Sequence, residues 1–195
     1  MTLVGGLPGS GKSTLSGALA DRLGVTLLSS DRLRKELAGI PAEQSAAAGY
    51  GEGLYTPEWT ARTYATLLDR AAALLSCGEY VVLDATWSDA GQRDAALRVA
   101  EHTGADLVAL HCHVPGDVSA ARLSTRAAGT SDAGPGIATA MAAREPPWPE
   151  AVAVDTSGPL ESTVAQALAA VRPWGTGQAP VFRRPYMKPD RGAPA

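Results

Sequence analysis

The 195-residue chain contains no asparagine. The asparagine-lysine-x-aspartate element by which guanine-specific switches usually select their base is therefore absent, which disfavours a GTPase. Cysteine is almost as scarce. Cys77 and Cys112 stand at no metal-type spacing, so neither a disulfide framework nor a zinc site is suggested. No stretch approaches the roughly 20 uninterrupted apolar residues of a membrane span. The first residues run into Gly5 and Gly6 without the basic region of a signal peptide, so the expected compartment is the cytoplasm. An excess of positive charge is missing too. A net charge of −3 and a pI near 5.6 give no long-range attraction to a polyanion, although a local basic cleft is compatible with them.

What is present is an ordinary globular composition, 45% hydrophobic and 19% charged, which excludes wholesale disorder. The length suits one domain with a substantial core and is too short for two domains and a linker. Apolar runs alternate with helical patterns. Strands are expected at 2–6, 25–28, 80–83, 106–112 and 151–154, and helices at 13–23, 32–38, 57–76, 92–102, 118–128 and 160–171. The run Tyr80-Val81-Val82-Leu83 lacks polar alternation, as in a parallel strand buried on both faces. This rhythm predicts an α/β fold with a five-stranded parallel sheet, helices on both faces and right-handed crossovers. Residues 42–57 read as a variable excursion. Residues 129–149, rich in Gly, Pro and Ala, belong to a short lid at about 117–149. Residues 173–195, with five prolines and several basic residues, read as a disordered tail beyond a domain at 1–172.

The strongest local signal is Gly6-Leu7-Pro8-Gly9-Ser10-Gly11-Lys12-Ser13, followed by Thr14: glycine, four residues, glycine, lysine, serine. Glycines allow turns in which successive amide hydrogens converge on an anion. The helix that follows adds its positive end, Lys12 a point charge, and Ser13 a hydroxyl suited to magnesium. A strand before and a helix after make a chance glycine turn a poor account of the run.

Asp84 ends the third apolar strand, where an acidic residue can reach magnesium; the competing role is to cap a turn. Trp87, shortly after it, either walls a substrate pocket or packs against the next helix. Asp31 follows the second strand and would reach the same sheet edge. Phosphoryl transfer to a hydroxyl needs a group that orients or deprotonates it, and Asp31 is the candidate, with helix capping as the alternative. Arg34 and Arg32 could bind an anionic acceptor group or simply be solvated. Arg122 and Arg126, four residues apart on one helix face, either close over transferring phosphate or are solvated. Arg144 is a weaker lid candidate. His111 and His113 alternate with Cys112 on a strand and find no third metal ligand, and Trp148 among prolines could dock a loop onto the core.

The chain resembles the bacterial P-loop kinases related to polynucleotide kinase and zeta toxin, some of them fused to aminoglycoside-phosphotransferase-like domains. The resemblance covers roughly residues 2–172. It rests on the phosphate loop, on Ser29-Ser30-Asp31 with Arg34-Lys35-Glu36-Leu37, on Leu83-Asp84-Ala85-Thr86-Trp87 with Gln92-Arg93, and on 122–126 leading to Ser131-Asp132-Ala133. It implies a three-layer P-loop NTPase fold and an ATP- and magnesium-dependent hydroxyl kinase. Asp31 would be the acceptor-side acid or base, and Arg126 or Arg122 would act in the lid. The first strand begins almost at once, which suggests a domain cut from a longer protein, with a fused or separate partner domain.

Three functions compete. The first is a kinase acting on a hydroxyl of a small molecule such as a sugar, a metabolite or an antibiotic-like compound, favoured by the acidic pI. The second, a 5′-hydroxyl polynucleotide kinase, would need a basic channel with stacking aromatics. The third is a non-catalytic ATP-binding regulatory module. An oligomeric remodelling ATPase would need a further helical domain, for which the length leaves little room.

Overall fold

A strand such as Val81-Val82-Leu83, with no polar side chain, must be covered on both faces. The computed structural model, which describes residues 1–41, 44, 53–125, 141 and 146–171, covers it with helices on either side. Five parallel strands lie in the order β2-β3-β1-β4-β5. They are β1 (Thr2–Gly5), β2 (Thr26–Ser29), β3 (Val81–Asp84), β4 (Val108–His113) and β5 (Val152–Asp155). The helices are α1 (Lys12–Leu23), α2 (Ser30–Leu37), α3 (Pro57–Ser76), α4 (Ala90–Thr103), α5 (Gly116–Thr125) and α6 (Leu160–Ala170), with a 3-10 turn, Gly53–Tyr55, before α3. The α/β class with an all-parallel sheet is the one expected.

Strand alternation divides the core. Leu3, Val81, Leu83 and Ala109 pack with α3 and α4, whereas Val4, Val82, Leu110, Cys112 and Val154 pack with α1 and α6. Each buried Leu or Val contributes about 1.5–3 kcal/mol, so these two apolar layers hold the sheet edge rigid beneath the site. β1 is central, with Leu3 opposite both Leu83 and Ala109.

The ladders run one residue beyond the apolar runs. β2 and β3 were expected at 25–28 and 80–83, yet they end at Ser29 and Asp84, which pair with each other. Backbone N–H and C=O groups need partners whatever the side chain, so the sheet continues into polar sequence. Helix starts move for a related reason. α2 begins two residues before the expected position 32, because Ser29 is already extended at the cap position. α4 begins at Ala90, because Asp89 accepts a hydrogen bond from the Gln92 amide at 3.0 Å. α3 spans the expected residues, with Thr56 capping and Pro57 in the first turn.

From β1 the chain crosses toward β3 and β2; from β4 it moves the other way, to β5. The winding reverses between β1 and β4, which opens a crevice at the carboxyl ends of these strands. Arg126, Arg144, Ser131-Asp132-Ala133, residues 45–52 of the excursion and the tail 173–195 lie outside the described residues. Among the described residues no helix is long and apolar enough to cross a membrane.

Candidate active site

The phosphate loop leaves β1 directly into the crevice. Gly6 has φ 134°, and a β-carbon there would lie 2.6 Å from both the Cys112 carbonyl oxygen and Ser10 Oγ, so only glycine fits. The Gly6 amide donates to the Thr86 carbonyl at 3.2 Å, and the Ser10 amide to the Leu7 carbonyl at 3.1 Å. The first bond ties the loop to the exit of β3, and the second closes its turn. Gly11, left-handed, caps α1. The first amides of that 12-residue helix, at Lys12, Ser13 and Thr14, have no helical acceptor of their own and open toward the crevice.

Lys12 is 7% exposed and Asp84 5%. Burial pushes the Asp84 carboxyl above the ordinary carboxylate range; the Lys12 charge and a hydrogen bond from Ser13 pull it down, and Asp31 adds to the rise. Ser29 Oγ donates to Asp84 Oδ2 at 3.4 Å, while Asp84 Oδ1 is buried and has no partner among the described residues. Ser10 Oγ is likewise buried and unpartnered. A buried carboxylate oxygen without a donor is costly unless something binds it. With the Ser13 hydroxyl beside it, the oxygen donor set fits a hard divalent cation.

Two cavities flank this centre. The first, about 410 Å³, is lined by Gly11, Ser13, Thr14, Arg122, Leu123 and Thr156 among others. Arg122 Nη2 donates to the Thr156 carbonyl at 2.7 Å, which holds the guanidinium against the phosphate loop and not free on a solvated helix face. Thr156 Oγ1 donates to the Ser10 carbonyl, a contact that links the end of β5 to the loop.

The second cavity, about 680 Å³, lies on the other side and includes Pro8, Asp31, Arg34, Tyr55, Tyr64 and Thr86 in its wall. Lys12 lines both cavities. Asp31 is the second residue of α2, so the cap position falls to Ser29 and Asp31 is left facing the cavity. Arg34 is only 5% exposed. Its Nη1 donates to the Leu54 carbonyl at 2.6 Å and to Thr60 Oγ1 at 3.4 Å, and its guanidinium sits 4.8 Å from the Tyr55 ring. It is therefore an anchored part of the wall, while Arg32 is exposed.

Of the two places the sequence left open for it, Trp87 takes the packed one, in the core with Ala96 and Ala100 of α4 and outside the cavity wall. It is fully buried and stands behind Tyr64, edge to face at 5.2 Å. Its φ is 54°, unusual for a bulky residue, and its amide donates to Tyr64 Oη at 3.2 Å. Tyr64 Oη also bonds Thr86 Oγ1 at 3.1 Å. Tyr64, not Trp87, presents the aromatic surface, because the left-handed turn at Trp87 directs the indole into the core.

Trp148 docks its segment over the end of β1: a β-carbon on Gly5 would lie 2.5 Å from the indole. Arg93 covers the ring at 5.3 Å and donates to the Pro147 carbonyl at 3.2 Å. His111 lies 5.9 Å from the same ring, whereas Cys112 points into the opposite core layer, its thiol pushed up by burial to about 12. Sequence reasoning passed over Thr156 and Tyr64, and gave Ser29 and Thr86 no role beyond their place in the motif stretches. The position of Thr156, one residue past β5 as Asp31 is two past β2, could have flagged it. Tyr64 lies within α3, and only the packing reveals it.

Residues 1–146 match the family model described as "AAA domain". Among curated proteins, uncharacterized proteins of Mycobacterium tuberculosis and Mycobacterium bovis are 38% identical over 167 residues, which is 86% of this chain and 34% of theirs. The chain thus spans about a third of the length of the curated relatives it matches. A gluconokinase from Sinorhizobium meliloti superposes with a TM-score of 0.63 at 25% identity, covering 86% of this chain and 89% of that one. A sugar kinase from Janibacter (TM-score 0.64, 21% identity, 86% and 91% covered) and the Mycobacterium tuberculosis APS kinase in complex with AMPPNP and APS (0.61, 19%, 86% and 95%) share the fold. With its nucleotide-binding P-loop and these kinase neighbours, the chain belongs to the AAA domain family matched over residues 1–146, a P-loop kinase family.

Proposed function

We propose that the chain is an ATP-dependent kinase that transfers the γ-phosphoryl group to a hydroxyl of a small-molecule acceptor. The observation that carries this reading is Lys12, the residue shared by two cavities, one on the phosphate-loop side and one on the Asp31 side. A donor in the first and an acceptor in the second would meet at its ammonium group.

In this reading the loop amides from Gly9 to Thr14 hold the β- and γ-phosphates, and Lys12 neutralises charge on the transferring group. Arg122, fixed by the Thr156 carbonyl, does the same from the nucleotide side, and Arg126 is proposed as a second lid arginine. Magnesium, held by Ser13 and Asp84, would supply charge neutralisation across the phosphates when bound. Asp31 orients the acceptor hydroxyl and takes its proton as the new O–P bond forms, the bond from the γ-phosphorus to the bridging oxygen breaks, and ADP leaves. Arg34 shapes the acceptor cavity. In water the acceptor would compete with solvent; Lys12 and Asp84 are buried, and bound nucleotide and acceptor filling the two cavities would exclude water and strengthen the electrostatics of the centre.

The test is ADP release from Mg-ATP by this chain across sugars, nucleosides, aminoglycosides and 5′-hydroxyl oligonucleotides, with mass spectrometry of each acceptor. A phosphorylated small molecule is expected. Exclusive transfer to oligonucleotides would replace the acceptor class, and tight ATP binding with no modified acceptor would replace the kinase with a regulatory module.

A further inference from the structure

The cavity beside Asp31 owes its size to what two helices lack. α3 presents Ala61, Tyr64, Ala65 and Leu68 along one face, and α4 presents Gly91 and Ala95. Facing helices normally interdigitate side chains to near-crystalline density. Small residues on both sides instead leave about 680 Å³ open, in the range of pockets that enclose a drug-sized ligand. Ala61 and Ala65 remain exposed, so their methyl groups face space and not protein.

The polarity of the cavity is uneven. Tyr64 is buried and its hydroxyl is already engaged by Thr86 and Trp87, so it offers the cavity a ring. The groups able to hold a reacting hydroxyl include Lys12 of the phosphate loop, Asp31 and Arg34 of α2 and Thr86 beyond β3, while Thr60 on α3 and Ser88, Asp89 and Gln92 at the start of α4 add polar groups at the ends of the two helices, apart from the Ala61–Leu68 face. Lys12 and Arg34 are the buried members of this set, and Arg34 Nε has no partner among the described residues. Lys12 and Arg34 are offset by Asp31 and Asp89 in the same wall. With Lys12 turned to phosphate, the remaining balance among the described wall residues is negative, which disfavours an anionic acceptor.

From this we infer that the acceptor is an uncharged or cationic alcohol with an aromatic or aliphatic body. Its hydroxyl sits at the Asp31 end, and its body rests on the face formed by Ala61, Tyr64, Ala65 and Leu68. The phosphoryl transfer rests on the kinase reading above; the binding does not. A free hexose would turn unpaired hydroxyls against that apolar face, and a sugar acid would add charge of the wrong sign.

The test compares D-glucose, D-gluconate and para-nitrophenyl β-D-glucoside, with adenosine as a second aromatic alcohol, by calorimetry without nucleotide and by turnover with Mg-ATP. At least one aromatic alcohol is expected to bind on the order of a hundredfold more tightly than glucose. Ala65→Trp, at an exposed helix position, should remove that binding. If its melting curve shows misfolding, Ala61→Leu should weaken the same binding severalfold. Equal or tighter binding of glucose or gluconate overturns the inference, as does binding of none of the four. Aromatic binding without phosphoryl transfer to any acceptor leaves this inference standing and overturns the kinase reading. Transfer to glucose or gluconate with the highest kcat/KM keeps the kinase and overturns the inference.

Discussion

Replacing Asp84 by asparagine is expected to stabilise the free protein while disabling it. Asp84 is 5% exposed at the end of β3, and its Oδ1 has no partner among the described residues. Burial raises its carboxyl even against the opposing Lys12 charge and the Ser13 and Ser29 hydroxyls. The ionised form is thus worse off in the folded chain than in the unfolded one, and this comparison already includes what Lys12 gives back. A folded-state pKa above the unfolded value means that the folded chain binds the proton more readily. Stability from this group is greatest at acid pH and declines as pH rises from the ordinary carboxylate value through the raised one. Above the raised value the penalty is fully present, and a neutral isostere removes it. In a chain of this size the melting temperature should rise by about 2–4 °C for each kcal/mol relieved, and the gain should shrink toward zero as pH falls to the ordinary carboxylate value. Turnover should drop on the order of a hundredfold or more, since the proposed magnesium loses its only carboxylate among the described site residues. Melting curves across pH, with and without Mg-AMPPNP, test both halves; the wild type should gain a magnesium-dependent shift that Asp84→Asn lacks. A variant that melts below wild type throughout the pH range above the ordinary carboxylate value would show that attraction to Lys12 outweighs burial and would refute the sign.

Asp31→Asn should leave nucleotide affinity near normal by titration and lower phosphoryl transfer by on the order of a hundredfold or more; undiminished turnover would leave Asp31 with only its place in the first turn of α2. Gly6→Ala meets two oxygens at 2.6 Å from its new β-carbon and should cost at least about 1–3 kcal/mol, seen as a lower urea midpoint together with lost nucleotide binding. Trp87→Ala should cost about 3–5 kcal/mol in the same unfolding assay, because the fully buried indole supports Tyr64 from behind. Arg70→Ala, by contrast, removes an exposed pair with Glu36. Its effect should stay within about 1 kcal/mol and fade in high salt; a larger loss would mean that the pair fixes α2 on α3.

The phosphate loop was legible because its chemistry is written in consecutive residues: glycines at 6, 9 and 11 take positive φ values, and the lysine and serine follow at fixed offsets. Asp84 and Asp31 were legible by another route. Each ends an apolar run or follows one closely, and in a parallel sheet with crossovers on both faces all strand ends of one sense share an edge. The burial of Arg34 was not legible, since the spacing of α2 alone does not say that Leu54, Tyr55 and Thr60 close over it. The choice between the two readings of Trp87 was not legible for a similar reason: its turn is left-handed, a backbone choice that no side-chain pattern announces for tryptophan.

The sequence by itself thus determined the α/β class, the parallel sheet and the phosphate loop, because periodicity and local turn chemistry act over a few residues. Tertiary structure alone decided the strand order β2-β3-β1-β4-β5, the meeting of Thr156 with the loop across 146 positions of chain, and the cavity left between the small residues of α3 and α4. Those features depend on which surfaces come to face one another, and a facing surface is a property of packing that neighbours in sequence do not carry.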